Sequence, residues 1–360
     1  MKICYLADGG SVHTLRWCMH FRDLGHEIHL ITLKNTHIEG IHIHYIDAGT
    51  INSTGGNWKI IFKYRKVKAI IKKIKPDILH SHYATSYGFL GALSGFHPFV
   101  VTALGTDVLI SPFQSVLYKI LIKFTLKKAD WITSMAEHMT EKIISLGIKK
   151  DKISVVIFGI DEKIFNNTNR IISTDKFILT STRNFEPIYN IQLLLNAIKL
   201  LDDKIPNLQV NLIGDGSLRN ELEKLVSEYN ISDKVNFMGK VKQSIISDEL
   251  KHSHLFVTVS LSDGNNISLN EAMACGTFSI ASNIPANKQW ISEGLNGFLV
   301  PTDKPEILAD KILFVFNNYS KLEKPCIEYN NNIIQEKALW NNNMKQVFEK
   351  YEFLINHYGK

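Results

Sequence analysis

Short runs of β-branched and aromatic residues recur down this chain, and most are separated by segments whose apolar residues repeat at helical spacing. Strands that alternate with helices pair in parallel, because only a crossover connection returns the chain to the same end of a sheet. The first series of runs covers residues 3–7, 28–33, 41–46, 78–82, 99–103, 131–134 and 153–157. Helical segments lie over 13–24, 58–74, 114–127 and 137–146. A second series follows the polar stretch 162–171, with runs at 177–182, 208–213, 235–238, 254–259, 277–281 and 297–300. Its helices are placed at 191–201, 217–229, 268–275 and 305–316. The pattern predicts an α/β protein of two doubly wound, Rossmann-like domains, 1–165 and 166–339, with a linker near 158–170. Its 360 residues suffice for two such cores. After Lys321 the chain turns Asn-rich. A last helix over 343–357 then repeats Met344, Val347, Phe348, Tyr351, Leu354 and Ile355, and the segment 340–360 is expected to pack back on the first domain.

Charge and composition narrow the function. Residues 1–168 hold 21 basic against 13 acidic side chains and residues 169–360 hold 20 against 22, so the basic excess sits in the front half. No nucleic-acid module accompanies it, and nucleic acid is not an expected partner. The four cysteines, Cys4, Cys18, Cys275 and Cys326, form no C-x-x-C or His/Cys cluster, which argues against a disulfide scaffold or a structural zinc site. The apolar run at 3–7 breaks at Asp8-Gly9-Gly10, too short for a secretory leader, and the region 88–104 is too interrupted to span a bilayer. A cytoplasmic location is expected. Residues 58–75 alternate eight Lys and Arg with apolar residues. That segment reads either as a core-facing helix with a solvated outer face or as a peripheral contact with anionic membrane, reinforced by Lys119, Lys123, Lys127 and Lys128.

In doubly wound sheets ligands sit beyond the carboxyl ends of the strands, and in two such domains those ends can face a central cleft. The most informative stretch is Ser260-Leu-Ser-Asp-Gly-Asn-Asn-Ile-Ser-Leu-Asn-Glu-Ala-Met-Ala-Cys-Gly276, a polar loop between a buried strand and a helix. A helix N-terminus offers unpaired N–H groups and the positive end of a dipole, so residues 264–268 form a candidate phosphate cradle. Seven residues separate Asp263 from Glu271. Both acids can look into one pocket. Alternatively, Asp263 or Ser268 caps the helix and Glu271 is a solvated first-turn acid. Ala7-Asp8-Gly9-Gly10-Ser11-Val12-His13 is a glycine turn between the first strand and first helix, but it is not G-x-G-x-x-G. Dinucleotide or flavin binding is therefore unsupported.

The phrase SDGNNISLNEAMACGTFSIASNIPANKQWISEGLNGFLV resembles the donor-site segment of the retaining glycosyltransferases of family 4, whose fold is GT-B, two such domains about a cleft. The resemblance runs from the glycine turn to the terminal helix. It implies an acceptor-side first domain and a donor-binding second domain. Asp263 then lies by the transferred sugar, the backbone of Gly264, Asn265, Asn266, Ile267 and Ser268 holds the diphosphate, and Glu271 binds the ribose. Arg183 matches the family's arginine that neutralises the diphosphate, Gly214 lies in its Gly-Asp-Gly turn, and Gly239 in its base-side loop. Gly9 and Gly10 would face the donor phosphates and Ser11 and His13 the acceptor, although Ser11 equally fits a helix N-cap. His82 and Asp107, at strand ends on the cleft edge, complete the expected catalytic group.

Three departures stand out. The family's first carboxylate is a Glu where this chain has Asp263. A Lys that commonly follows the arginine is replaced by the segment Glu186-Pro-Ile-Tyr-Asn190, and a His that commonly precedes Gly105 is Leu104. Lys288 or Arg16 are candidates for the missing cation. No Asp-x-Asp pair occurs, so metal-independent transfer without a cofactor is expected. The reading is a retaining transferase moving a sugar from a UDP- or GDP-linked donor to a hydroxyl of a glycan or lipid-linked acceptor in cell-surface polysaccharide or glycoconjugate synthesis. Its rivals are a sugar-nucleotide 2-epimerase of the same architecture and a non-catalytic nucleotide-sugar-binding subunit.

Overall fold

The computed structural model describes residues 1–47, 49, 58–201 and 203–358. They form two compact units, Met1–Ile157 joined by the chain from Met344 onward, and Phe158–Asn343.

The first unit is built on a seven-stranded sheet of β1 (Lys2–Leu6), β2 (Glu27–Thr32), β3 (His42–Tyr45), β4 (Ile78–His82), β5 (Phe99–Thr102), β6 (Trp131–Ser134) and β7 (Ile153–Val155), in the order β3-β2-β1-β4-β5-β6-β7. The second unit has six strands, β8 (Phe177–Ser181), β9 (Leu208–Ile213), β10 (Val235–Gly239), β11 (Leu255–Thr258), β12 (Phe278–Ser282) and β13 (Gly297–Val300), in the order β10-β9-β8-β11-β12-β13. Every pairing is parallel. The central strands, buried on both faces, read as continuous apolar runs, whereas the edge strand β3, HIHY, is only half-buried. Both sheets reverse direction once, between β1 and β4 and between β8 and β11. At such a point the flanking loops diverge and leave a crevice beyond the strand ends.

The elements that the sequence hid have physical causes. Helix Tyr87–Ser94 is rich in small residues that weaken a helical signal. A Cβ on Gly91 would lie 2.5 Å from the Phe99 ring, so the absence of that atom lets the helix sit on β5. Helix Gln243–His252 buries only Ser247 and Leu250 and so shows little apolar periodicity. The helix expected over 305–316 continues from Pro305 to Lys337, through Pro325 and the Asn-rich stretch. Asn330 is fully buried there because it accepts from Asn296 Nδ2 (2.9 Å) and donates to Cys326 Sγ (3.3 Å).

The expected linker is no linker, and the division falls at 157/158 rather than 165/166. Phe158, Ile160 and Phe165 are buried, and the Arg170 guanidinium donates to the carbonyls of Leu250, Lys251, Ser253 and Cys275. Those contacts bind the stretch to the second unit. Helix Trp340–Tyr358 belongs to the first unit from Met344 onward, where buried Tyr351 stacks on Phe21 at 5.3 Å and its hydroxyl bonds His80 Nδ1 in β4.

The basic segment 58–75 splits into a 3-10 turn, Trp58–Lys63, and helix Tyr64–Ile74. Val67, Ile71 and Ile74 are buried, so the helix turns its apolar face to the core and its lysines to water. Among the described residues, no helix is long and apolar enough to cross a membrane.

Candidate functional site

Strand β8 ends at Ser181, and two residues later Arg183 turns a largely buried guanidinium toward the loop that follows β11. Its Nη2 donates to Asp263 Oδ2 at 2.6 Å, and its Nη1 to Asn266 Oδ1 at 3.1 Å and Ser268 Oγ at 3.4 Å. The Tyr189 ring covers the guanidinium at 4.2 Å, a cation–π contact. Arg183 Nε is buried without an acceptor among the described residues. Arg183 and Asp263, expected on the diphosphate and the sugar respectively, are thus paired to each other across the strand switch point.

Helix Ile267–Ala274 points its N-terminus into this cluster. Asn266 is its cap and accepts from Leu269 N at 3.2 Å. Its amide in turn donates to Thr258 Oγ1 and Asn287 Oδ1, both at 3.0 Å. Asn265 accepts from Trp290 Nε1 at 2.8 Å and donates to Asn270. Both Asn side chains therefore build the loop, and only their backbone can serve a ligand. Ile267 N–H bends back to Asn265 O at 3.0 Å, which removes one of the expected phosphate donors. Ser268 N–H has no acceptor among the described residues. Ser268 and Glu271 are three residues apart and share one helix face.

The glycines of the second unit clear space for backbone. A Cβ on Gly214, at φ +150°, would lie 2.3 Å from Arg183 O, and one on Gly216 would lie 2.5 Å from Phe185 O. Gly214 N donates to Gly239 O at 3.0 Å. Gly214 and Gly239, expected as donor contacts, thus seat the Arg183 segment. In place of the family's Lys, Glu186 accepts from Ser217 N (3.0 Å) and Oγ (2.6 Å), bonds that hold its carboxyl below its ordinary range. Ile188 O accepts from Leu261 N at 2.8 Å, which ties the same segment to the Asp263 loop. Tyr189 and Asn287 were not singled out in the sequence. An aromatic beside the matched arginine was a usable signal for the first, whereas nothing marked Asn287. Lys288 is exposed at the end of the short helix Pro285–Lys288.

The first unit's switch point is filled differently. Gly9 N–H donates to Thr32 Oγ1 at 3.0 Å and Gly10 N–H to Asp8 Oδ1 at 2.8 Å, so neither is free for a phosphate. Gly10 instead makes room for the stem of Lys34 and Gly9 for Thr36. Ser11 occupies the cap position of helix Val12–Asp23 without a side-chain capping bond. His82, expected in the catalytic group, is 2% exposed, edge-on to Trp17, Tyr5 and His80. Burial, with His13 nearby, pushes its pKa down to about 3, and burial with Arg16 brings His13 down to about 4. Both are neutral imidazoles at pH 7. Asp107 is fully buried and accepts from the backbone of Ala84 (2.7 Å), Leu104 (3.1 Å) and Gly105 (2.9 Å). Burial raises its pKa while those bonds oppose the shift. It is a clamp between the loops after β4 and β5, whereas His82 is enclosed by the Trp17, Tyr5 and His80 rings.

With these features in place, residues 2–136 match the family described as glycosyl transferase 4-like, and residues 149–333 match glycosyl transferases group 1. The chain belongs to the group 1 glycosyl transferases. This glycosyltransferase is 26% identical to N-acetyl-alpha-D-glucosaminyl L-malate synthase of Bacillus anthracis, over 86% of its own length and 85% of the relative's. Its fold matches sucrose-phosphate synthase from Thermosynechococcus elongatus with a TM-score of 0.86 at 18% identity, covering 99% and 100% of the two chains. It also matches Anabaena HepE, solved in complex with UDP-glucose, with a TM-score of 0.80 at 16% identity and coverage of 98% and 100%. The glycosyltransferase therefore has the GT-B fold.

Proposed function

We propose that the second unit binds a nucleotide diphosphate sugar, UDP- or GDP-linked, and that the enzyme transfers the sugar with retention to a hydroxyl of a glycan or lipid-linked acceptor. One observation carries this reading: a buried guanidinium with an unused Nε and a helix N-terminus with an unused Ser268 N–H converge at the β8/β11 switch point. Both favour a doubly charged diphosphate. The UDP-glucose in the HepE structure supports the same ligand class.

In that role Arg183 shares its charge between Asp263 and the leaving diphosphate, and Glu271 bonds the ribose hydroxyls. As the glycosidic bond breaks, electrons pass to the phosphate oxygen, and the guanidinium with the helix N-terminus stabilises that charge. The same oxygen then takes the acceptor's proton as the acceptor closes on the leaving-group face. No protein nucleophile is needed, and the chain's own cations, with Lys288 or Arg16 as the second, make the transfer metal-independent. Ser11 and His13 are the proposed acceptor contacts.

A thermal-shift panel of UDP-, GDP-, ADP- and CMP-sugars tests the donor. One class is expected to raise Tm, and Glu271→Ala to weaken that response; if no sugar nucleotide stabilises the chain, the reading fails. Product NMR checks retention, and epimerised sugar from donor alone would favour the epimerase. Turnover unchanged in both Lys288→Ala and Arg16→Ala would remove those two cations.

A second observation bears on location. On helix Val116–Lys128, Val116, Leu117 and Ile120 are 74%, 71% and 61% exposed, with Phe113 beside them at 60%. Lys119, Lys123, Lys127 and Lys128 share that helix. This surface, together with segment 58–75, where Phe62 is 70% exposed, is the proposed contact with an anionic bilayer on the cytoplasmic face. Cosedimentation with anionic vesicles is expected to fall with salt and with Leu117→Ser. Equal pelleting with neutral vesicles would defeat it.

A further inference from the structure

Away from the switch points, the edge of the first sheet carries a group of side chains that the transfer does not use. Strand β3 is the edge strand, and it pairs with β2 in the register His29↔His42 and Ile31↔His44. Side chains alternate along a strand, so Glu27 and His29 on β2 fall on the same face as His42 and His44 on β3. The structure bears this out in contacts. The His29 ring stacks on His42 at 4.7 Å and on His44 at 5.3 Å. His29 Nε2 lies 2.9 Å from Glu27 Oε1, and one ligand atom from each of Glu27, His29 and His42 falls within 4.8 Å of the others.

We propose that Glu27, His29 and His42 form a binding site for a divalent transition metal of the zinc type. Two imidazoles and one carboxylate are a donor set that zinc favours and that magnesium and calcium, which seek oxygen, do not. The geometry is prepared at its centre. His29 is largely buried, and its Nδ1 is 3.0 Å from His44 Nε2. In the metal-free chain Nε2–H donates to the Glu27 carboxylate and Nδ1 accepts from His44. A metal at Nε2 displaces that proton, and with the ring proton then on Nδ1 donating to His44 Nε2 the pair takes the outer-sphere arrangement that orients metal-bound histidines. His44 is thus a positioning residue. Glu27 and His42 are exposed, so the metal enters from solvent and water completes its coordination. Lys2 Nζ, 3.3 Å from Glu27 Oε1, must give way.

The site opens on Glu27 and His29 of β2, whereas the switch-point loop contacts Thr32 at its last residue, roughly 10 Å beyond His29 along the strand at ~3.3 Å per residue. Its consequence is structural: a metal bridging β2 and β3 pins the edge strand in register. In the sequence the site shows as Glu27-x-His29 and His42-x-His44, a pattern without cysteine or an Asp-x-Asp pair.

Zn2+ titration of the full chain against a chromophoric chelator provides the test. Wild type is expected to bind one Zn2+ tightly enough to compete and to gain roughly 5 °C in Tm at hundredfold excess over Kd. Co2+ loading is expected to give the visible bands of a four-coordinate site. His42→Ala and Glu27→Gln, both at exposed positions, are expected to abolish the bound equivalent and the Co2+ bands. His44→Ala is expected to weaken binding about tenfold. Failure of wild type to take up Zn2+ at 100-fold molar excess, or equal uptake by His42→Ala, would overturn the proposal.

Discussion

The two sheets share one topology, each with a single strand-order reversal, yet the two reversal points differ in what occupies them. At β8/β11 a guanidinium, a carboxylate and a helix N-terminus meet with donors left over. At β1/β4 the glycine N–H groups are already spent on Thr32 and Asp8, and a histidine lies sealed among aromatic rings. The strand order is the same at both places, but the side chains decide whether charged groups or aromatic rings gather there.

The sharpest way to break that contrast is to remove a group from each point. Arg183→Ala is expected to lower kcat/KM by about 10²–10³, as loss of a transition-state charge partner does, and to leave Asp263 partly buried without its cation. His82→Phe, which keeps the ring and the packing, is expected to keep kcat/KM within a few-fold. Comparable losses in steady-state assays of the two variants would erase the distinction.

Glycines separate the points next. Gly214→Ala sets a Cβ 2.3 Å from the Arg183 carbonyl at φ +150°, and chemical denaturation is expected to show about 2–4 kcal/mol of lost stability. Gly10→Ala meets only the flexible stem of Lys34, and a change within about 0.5 kcal/mol is expected.

Acid acts on the first unit through its histidines. Their folded-state pKa values, about 4 for His13 and about 3 for His82, lie below the ordinary 6.5, so the unfolded chain binds more protons as pH falls below 6.5. Stability is full above that pH and declines until each folded pKa is reached. At pH 5 the loss is about 2 kcal/mol per histidine, at ~1.4 kcal/mol for each pH step. Denaturation of His82→Phe at pH 7 and pH 5 is expected to show that much less acid sensitivity than wild type. A modest effect falls on Tyr189→Leu, which removes the ring over Arg183 and is expected to weaken donor binding a few-fold by calorimetry.

The strands, the tandem sheets and the 260–276 loop were legible in the chain because burial on both faces of a parallel strand, and small polar residues before a helix, are local signals. The interiors of the loops were not. Gly9 and Gly10 look like phosphate-binding glycines in sequence, and only the fold brings Thr32 and Asp8 to their N–H groups. His82 looks like a cleft residue at a strand end, until Trp17 from the first helix, Val12–Asp23, and Tyr5 from the neighbouring strand close over it. The Asn-rich stretch lacks helical propensity, and tertiary pairing of Asn330 with Asn296 holds it in a helix.

By itself the sequence determined two doubly wound parallel sheets and the positions of Arg183, Asp263 and Glu271 at strand and helix ends, since periodicity and turn chemistry act over a few residues. Only the tertiary structure decided that Arg183 pairs with Asp263, 80 residues away, that one switch point gathers aromatic rings and the other a guanidinium and a carboxylate, and that three histidines and a glutamate gather on a sheet edge. Those outcomes depend on strand register and side-chain direction, which a linear pattern of residues does not contain.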